Sequence, residues 1–128
     1  KPDALHEWIL KAHHGAVVTF AGTVRDNTDG RQTARLEYET YAEMAEKKMA
    51  EIGEEIQDKW SIEDVAMIHR IGALEIGDIS ILIAIAAPHR KDTFEACSYA
   101  IDRVKQVVPV WKKEIWQDGD TEWVGNIP

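Results

Sequence analysis

Two lysines, Lys105 and Lys112, flank Pro109 within the stretch P-H-R-K-D-T-F-E-A-C-S-Y-A-I-D-R-V-K-Q-V-V-P-V-W-K-K-E, Pro88 to Glu114. Other cations stand where elements are expected to end: Arg25 after the first strand, His89 and Arg90 after a long apolar run, Lys113 beside Lys112. Such a gathering, in a chain of formal net charge -8, suggests a site for an anion. A phosphate, a carboxylate or an acidic chain terminus would each fit, held by charge-assisted hydrogen bonds. A lysine is useful there because burial and a neighbouring cation both favour the neutral amine. A neutral amine moves protons or attacks an electrophilic carbon. Each cation also has a plainer reading. Lys105 would complement a helix dipole, Lys112 and Lys113 would charge an edge strand, and Arg25 would belong to a polar loop. The set says more than any member, because strand ends are where α/β folds collect ligands.

The rest of the sequence narrows the chemistry. Its 128 residues suit one domain spanning 1–128, and 45% hydrophobic with 30% charged residues is an ordinary globular mixture. The acidic balance argues against nucleic-acid binding through a basic face. No apolar run approaches the ~20 residues of a membrane helix. No signal-peptide pattern is visible, and the single Cys97 excludes an internal disulfide, so a cytoplasmic protein is expected. Cys97 itself reads as a packed core thiol. Ser-His-Asp spacing, CxxC, HExxH, Walker glycines and GxGxxG are all absent, so no metal and no cofactor is expected.

The elements that must position the cations follow from periodicity. Asp3 is placed to cap a short helix carrying Leu5, Trp8, Ile9 and Ala12, with Gly15 to stop it. The adjacent His13 and His14 would diverge on that helix, which argues for surface positions and against metal ligation. Ala16 to Val24 reads as a strand, with Gly22 marking a bulge or close backbone approach. Arg35 to Tyr41 alternates as a second strand, and the two would form a hairpin with a long, mobile tip at Asp26 to Arg31. Ala42 to Trp60 has a helical period, with Ala45, Met49, Ile52, Ile56 and Trp60 on one face. Val65 to Ile71 reads as a strand holding His69 as an ordinary packed histidine, and G-A-L-E-I-G-D as a connection. Ile79 to Ala87 is apolar enough for a central strand covered on both faces. Asp92 and Glu95 suggest a capping box for a helix with Phe94, Cys97, Ile101 and Val104 inward, ended near Val107 by Pro109. Two strands, V-W-K-K-E-I-W and T-E-W-V, close the order αββαββαββ, which argues for a two-layer α+β domain.

F-A-G-T-V-R (Phe20 to Arg25), I-H-R-I-G (Ile68 to Gly72), P-H-R (Pro88 to Arg90), F-E-A (Phe94 to Ala96) and K-Q-V-V-P-V-W-K-K-E (Lys105 to Glu114) together closely resemble the large, catalytic subunit of molybdopterin synthase, the MoaE family. The resemblance runs in order over nearly the whole chain. It implies an α/β hammerhead fold with mostly antiparallel sheet, and a homodimer of the large subunit with a small ubiquitin-like MoaD subunit at each end, a heterotetramer. It further implies that the small subunit's Gly-Gly tail carries a C-terminal thiocarboxylate into the large subunit's pocket. Sulfur would pass from it to cyclic pyranopterin monophosphate, precursor Z, to form the dithiolene of molybdopterin. Lys105 and Lys112 fall on the family's catalytic lysines, and Arg25, His89 and Arg90 on its substrate-binding positions. Thr23, Val24, Lys113 and Glu114 adjoin them as weaker substrate-binding candidates. Family members often continue past the last strand with a basic tail that reaches a neighbouring pocket, and G-N-I-P holds no cation to match it. Two other classes remain. A non-catalytic binding module for a ubiquitin-like tail or anionic metabolite could manage with arginines alone, and a stand-alone hydrolase lacks a nucleophile–base pair.

Overall fold

The computed structural model describes residues 1–125; the last residues of the G-N-I-P stretch, 126–128, lie outside the described residues. The element order is α1 (Pro2–Ile9), β1 (Ala16–Thr23), β2 (Asn27–Thr28), β3 (Arg31–Thr40), α2 (Ala42–Trp60), β4 (Asp64–His69), β5 (Gly72–Glu75), β6 (Ile79–Ala87), α3 (Arg90–Val107), β7 (Val110–Trp116) and β8 (Thr121–Gly125). Two sheets result. One is β1-β6-β4; the other is β2-β3-β7-β8 with β5 on β3. Every pairing among the described strands is antiparallel, as expected for this α+β class.

The β6 strand is central because its residues are apolar on both faces. Ile81, Ile83, Ile85 and Ala87 pack with Ala45, Ile52 and Ile56 of α2 and Ala96, Cys97, Ala100 and Val104 of α3. Ala84 and Ala86 face the other way, onto Ile9 of α1. Alternation with period two thus supplies two cores from one strand. Glu55 of α2 ties the helices together, accepting hydrogen bonds from Tyr99 and Arg103 of α3. The second sheet has its own small core of Val24, Leu36 and Leu74.

Several sequence expectations need correction. The two strands β1 and β3 do not form a hairpin; they lie in different sheets. The loop tip is instead a tight β2–β3 hairpin turned by Asp29 and Gly30, both at positive φ, the backbone that an Asp-Gly turn favours. G-A-L-E is a strand, since its amide and carbonyl groups complete β3. Asp92 lies inside the first turn of α3, whose N-cap is His89, and Glu95 accepts a hydrogen bond from Trp60 rather than closing a capping box. Phe94 is exposed; Thr93 takes the buried position of that turn.

The N-terminal segment differs most. Asp3 lies within the first turn of α1 rather than capping it, and the helix ends at Ile9, before Ala12. His14 is not at the surface: its side chain is 1% exposed, with Nε2 2.8 Å from Asp64. Its Nδ1 accepts the Lys11 amide, and the Lys11 ammonium also reaches Asp64. With His13 this group holds three potential metal ligands, but the existing hydrogen bonds engage His14 and the carboxylate as a clasp between the N-terminal segment and β4. Gly15 is required for a different reason than stopping a helix. Its amide bonds the Ala87 carbonyl, and a Cβ there would stand 2.3 Å from the Pro88 carbonyl oxygen. Backbone cannot yield as a flexible side chain would. Gly15→Ala is therefore expected to lower unfolding free energy by about 1–3 kcal/mol, the range of overpacking; urea denaturation of the two proteins checks it.

Candidate active site

Pro109 sets the geometry that brings the two lysines together. It cannot continue α3, and it holds Val108 extended, so the chain reverses between Val107 and Val110. The reversal is fastened by the Pro109 carbonyl, which accepts from the Thr40 hydroxyl at 2.8 Å and the Tyr41 amide at 3.3 Å. Lys105 in the last turn of α3 and Lys112 in β7 then line one cavity of about 280 Å³.

Strand register builds the walls. In the first sheet Gly22 of β1 and His69 of β4 both sit opposite Ile81 of β6. In the second sheet Tyr38 of β3 and Val124 of β8 both sit opposite Lys112 of β7. All six residues of these two cross-strand rows line the cavity, as do Ile101, Val104 and Lys105 from the end of α3. The cavity thus lies where the two sheets face each other across the helix terminus. The register shifts after Gly22, where Ser80 of β6 is the extra, unpaired residue, and a Cβ on Gly22 would meet Ile81 Cγ2 at 2.8 Å. The close approach expected at this glycine is therefore to β6.

The polar groups are arranged around apolar walls. Ser80 donates to the Gly22 carbonyl at 3.1 Å. Burial pushes the Tyr38 phenol above its ordinary pKa, against the pull of Ser80, so it stays a neutral hydroxyl. Tyr38 meets His69 edge-on, with ring centroids 5.1 Å apart. Burial draws His69 below the usual histidine range, with the Arg70 carbonyl pulling the other way. No carboxylate lines this cavity among the described residues. A larger groove of about 420 Å³ between α2 and β4 has Glu46, Glu54 and Glu63 on its walls and would repel an anion.

The remaining sequence candidates are placed unevenly. Thr23 lines the cavity, and Arg25 follows two residues on, exposed beyond the end of β1. Val24 is buried in the core of the second sheet, with both backbone groups bonded, to Asp78 and Gly77. Lys113 projects from the opposite face of β7, over Trp123. Glu114 is 2% exposed and accepts from Thr28 at 2.6 Å and Thr33 at 3.4 Å, which makes it an anchor for the β2–β3 hairpin. His89 and Arg90 open α3, whereas Lys105 closes it, roughly 22 Å along the axis at ~1.5 Å per residue. They do not line the lysine cavity of their own chain. Tyr38, Ser80 and His69 were missed as site residues, since only strand register places them there.

A family model described as MoaE protein matches residues 1–107. A molybdopterin synthase catalytic subunit of Staphylococcus carnosus is 56% identical over 120 residues, covering 94% of this chain and 79% of that protein. One from Bacillus subtilis is 53% identical over 118 residues, covering 92% and 74%. The crystal structure of molybdopterin synthase from Staphylococcus aureus superposes with a TM-score of 0.92 at 50% identity, over 98% of this chain and 90% of that one. If Glu114 is an anchor, Glu114→Ala should cost about 1–3 kcal/mol of stability by stranding the buried Thr33 hydroxyl. Chemical denaturation measures this, and an unchanged midpoint would remove the anchoring role.

Proposed function

The chain belongs to the MoaE family, and from that premise we propose that the cavity shared by Lys105 and Lys112 is where it acts as the catalytic subunit of a molybdopterin synthase. The reaction passes sulfur from the thiocarboxylated C-terminus of a small ubiquitin-like subunit to cyclic pyranopterin monophosphate. The observation that carries the site is that two amines from different elements converge on one cavity with largely apolar walls and, among the described residues, no lining carboxylate. Low local dielectric strengthens their attraction for a thiocarboxylate or a developing anion.

In this reading Lys105 serves as general acid and base while the thiocarboxylate sulfur attacks the substrate. Lys112 stabilises the developing charge, or forms a transient adduct with substrate or tail. Arg25, beyond Thr23 at the end of β1, is positioned to hold the substrate phosphate. His89 and Arg90 lie too far along α3 to serve the same chain's cavity. Their family role as substrate-binding residues is therefore assigned to the cavity of a second copy in a homodimer. Val24, Lys113 and Glu114 are supported as framework residues by their contacts. No described helix is long and apolar enough to cross a membrane.

Turnover of purified protein with thiocarboxylated small subunit and substrate, followed by mass spectrometry, tests the site. Lys105→Ala and Lys112→Ala should each lower the rate by on the order of 10²–10⁴-fold while leaving folding and partner binding intact. A folded, partner-binding Lys105→Ala protein with normal turnover would refute the assignment. Subunit mixing tests the shared site. Arg90→Ala and Lys105→Ala proteins, each weak alone, should regain about a quarter of wild-type activity when randomly mixed, because some mixed dimers hold one intact site. No recovery on exchange would place both residues in one chain's site.

A further inference from the structure

Transfer of sulfur out of a thiocarboxylate has a second half that the two lysines do not explain. Once the sulfur has bonded to the substrate carbon, tail and substrate are joined through an acyl–sulfur linkage. The acyl C–S bond must then break, and water is the available acceptor of the acyl group. Water attack at neutral pH needs a base beside it. Among the described residues lining the cavity, Thr23, Tyr38 and Ser80 offer hydroxyls, Lys105 and Lys112 offer amines, and none is a carboxylate. His69 is the lining side chain whose ordinary titration lies nearest neutrality.

Its surroundings fix which nitrogen is the base. Nδ1 lies 2.8 Å from the Arg70 carbonyl oxygen, which can only accept, so Nδ1 carries the ring proton and Nε2 the lone pair. The Tyr38 ring, edge-on at 5.1 Å, limits how the imidazole turns. On the facing strand, Ser80 is held by the Gly22 carbonyl. The Arg70 carbonyl and the Tyr38 ring of β3 thus orient a residue of β4.

Resting on the cavity being the reaction site, we propose that His69 is the general base that hydrolyses the tail–sulfur–substrate linkage. Water's oxygen bonds to the acyl carbon as one O–H bond breaks, its proton passing to Nε2. The C–S bond breaks with its electron pair kept by sulfur. The tail leaves as a carboxylic acid and then ionises, and the imidazolium returns its proton to the thiolate. No oxidant or reductant is needed. The charged and titratable groups around the ring are consistent with a neutral imidazole. Lys105 and Lys112 face it from α3 and β7, Tyr38 from β3, and Arg70 adjoins it. Glu46 of α2 lines a separate cavity of about 150 Å³ that His69 also borders. Burial holds His69 below the ordinary histidine range, so the ring remains a base through neutrality and loses that capacity only on acidification.

The decisive experiment is single turnover by the complete complex with thiocarboxylated small subunit and cyclic pyranopterin monophosphate, quenched in time and read by intact mass. In His69→Gln the covalent small-subunit–substrate adduct should form and persist, its breakdown slowed on the order of 10²–10⁴-fold. In wild type, breakdown should fall on acidification below the ordinary histidine range, and the variant should lose that acid limb. A variant with wild-type breakdown and the same limb overturns the proposal. Lys105→Ala and Lys112→Ala run in parallel separate the two levels. If both turn over normally, the site itself is misplaced; if they fail while His69→Gln does not, the site stands and the base does not. Should His69→Gln melt early or lose its partner, wild type alone decides: adduct breakdown with no acid limb down to the pH at which the complex itself unfolds overturns the assignment.

Discussion

Burial of β6 on both faces is the constraint from which the rest follows. A strand with Ile83, Ala84, Ile85 and Ala86 all removed from water leaves its neighbours little freedom of register. A one-residue slip would exchange the isoleucine face, packed under α2 and α3, with the alanine face, packed on α1. The registers of β1 and β4 on β6 are locked in this way. Gly22 and His69 consequently flank Ile81 at the rim of the sheet, where the end of α3 and the second sheet complete a cavity. Packing energy spent on an apolar strand thus fixes polar groups at its end.

The electrostatics of the molecule divide along the same lines. Carboxylates outnumber cations overall, 23 to 15, and crowd the groove between α2 and β4. The lysine cavity is kept apart from them by apolar side chains from α3 and β6. Glu114, next but one to Lys112 on the same face of β7, is drawn away by the hydroxyls of Thr28 and Thr33. An anion entering beside the lysines therefore meets positive charge without a competing carboxylate among the described lining residues.

Much of the fold was legible because its signals are local. The limits of α2 and β6 followed from apolar period and length, and the end of α3 from Pro109. The failures were tertiary. The pairing of β1 with β6 rather than β3, and the recruitment of G-A-L-E as a strand, depend on partners distant in sequence. Gly15 looked like a helix stop but serves a close approach to Pro88, which no local pattern reveals. His14 looked superficial because its partner, Asp64, lies on a strand far along the chain.

For the site, the sequence alone determined the chemical type: two lysines across a proline, in an acidic chain, with motifs of a sulfur-transferring family. A proline after a helix ends it whatever its surroundings, so Lys105 and Lys112 were expected on either side of that end, and only the tertiary structure shows that they share a cavity. The tertiary structure decided which other residues join them. Strand register brought in Tyr38, Ser80 and His69. The same register turned Lys113 outward and sank Glu114, while the length of α3 carried His89 and Arg90 away. Side chains on adjacent strands meet through hydrogen-bonded register, and register is set by the burial of whole faces rather than by any residue's own neighbours in sequence.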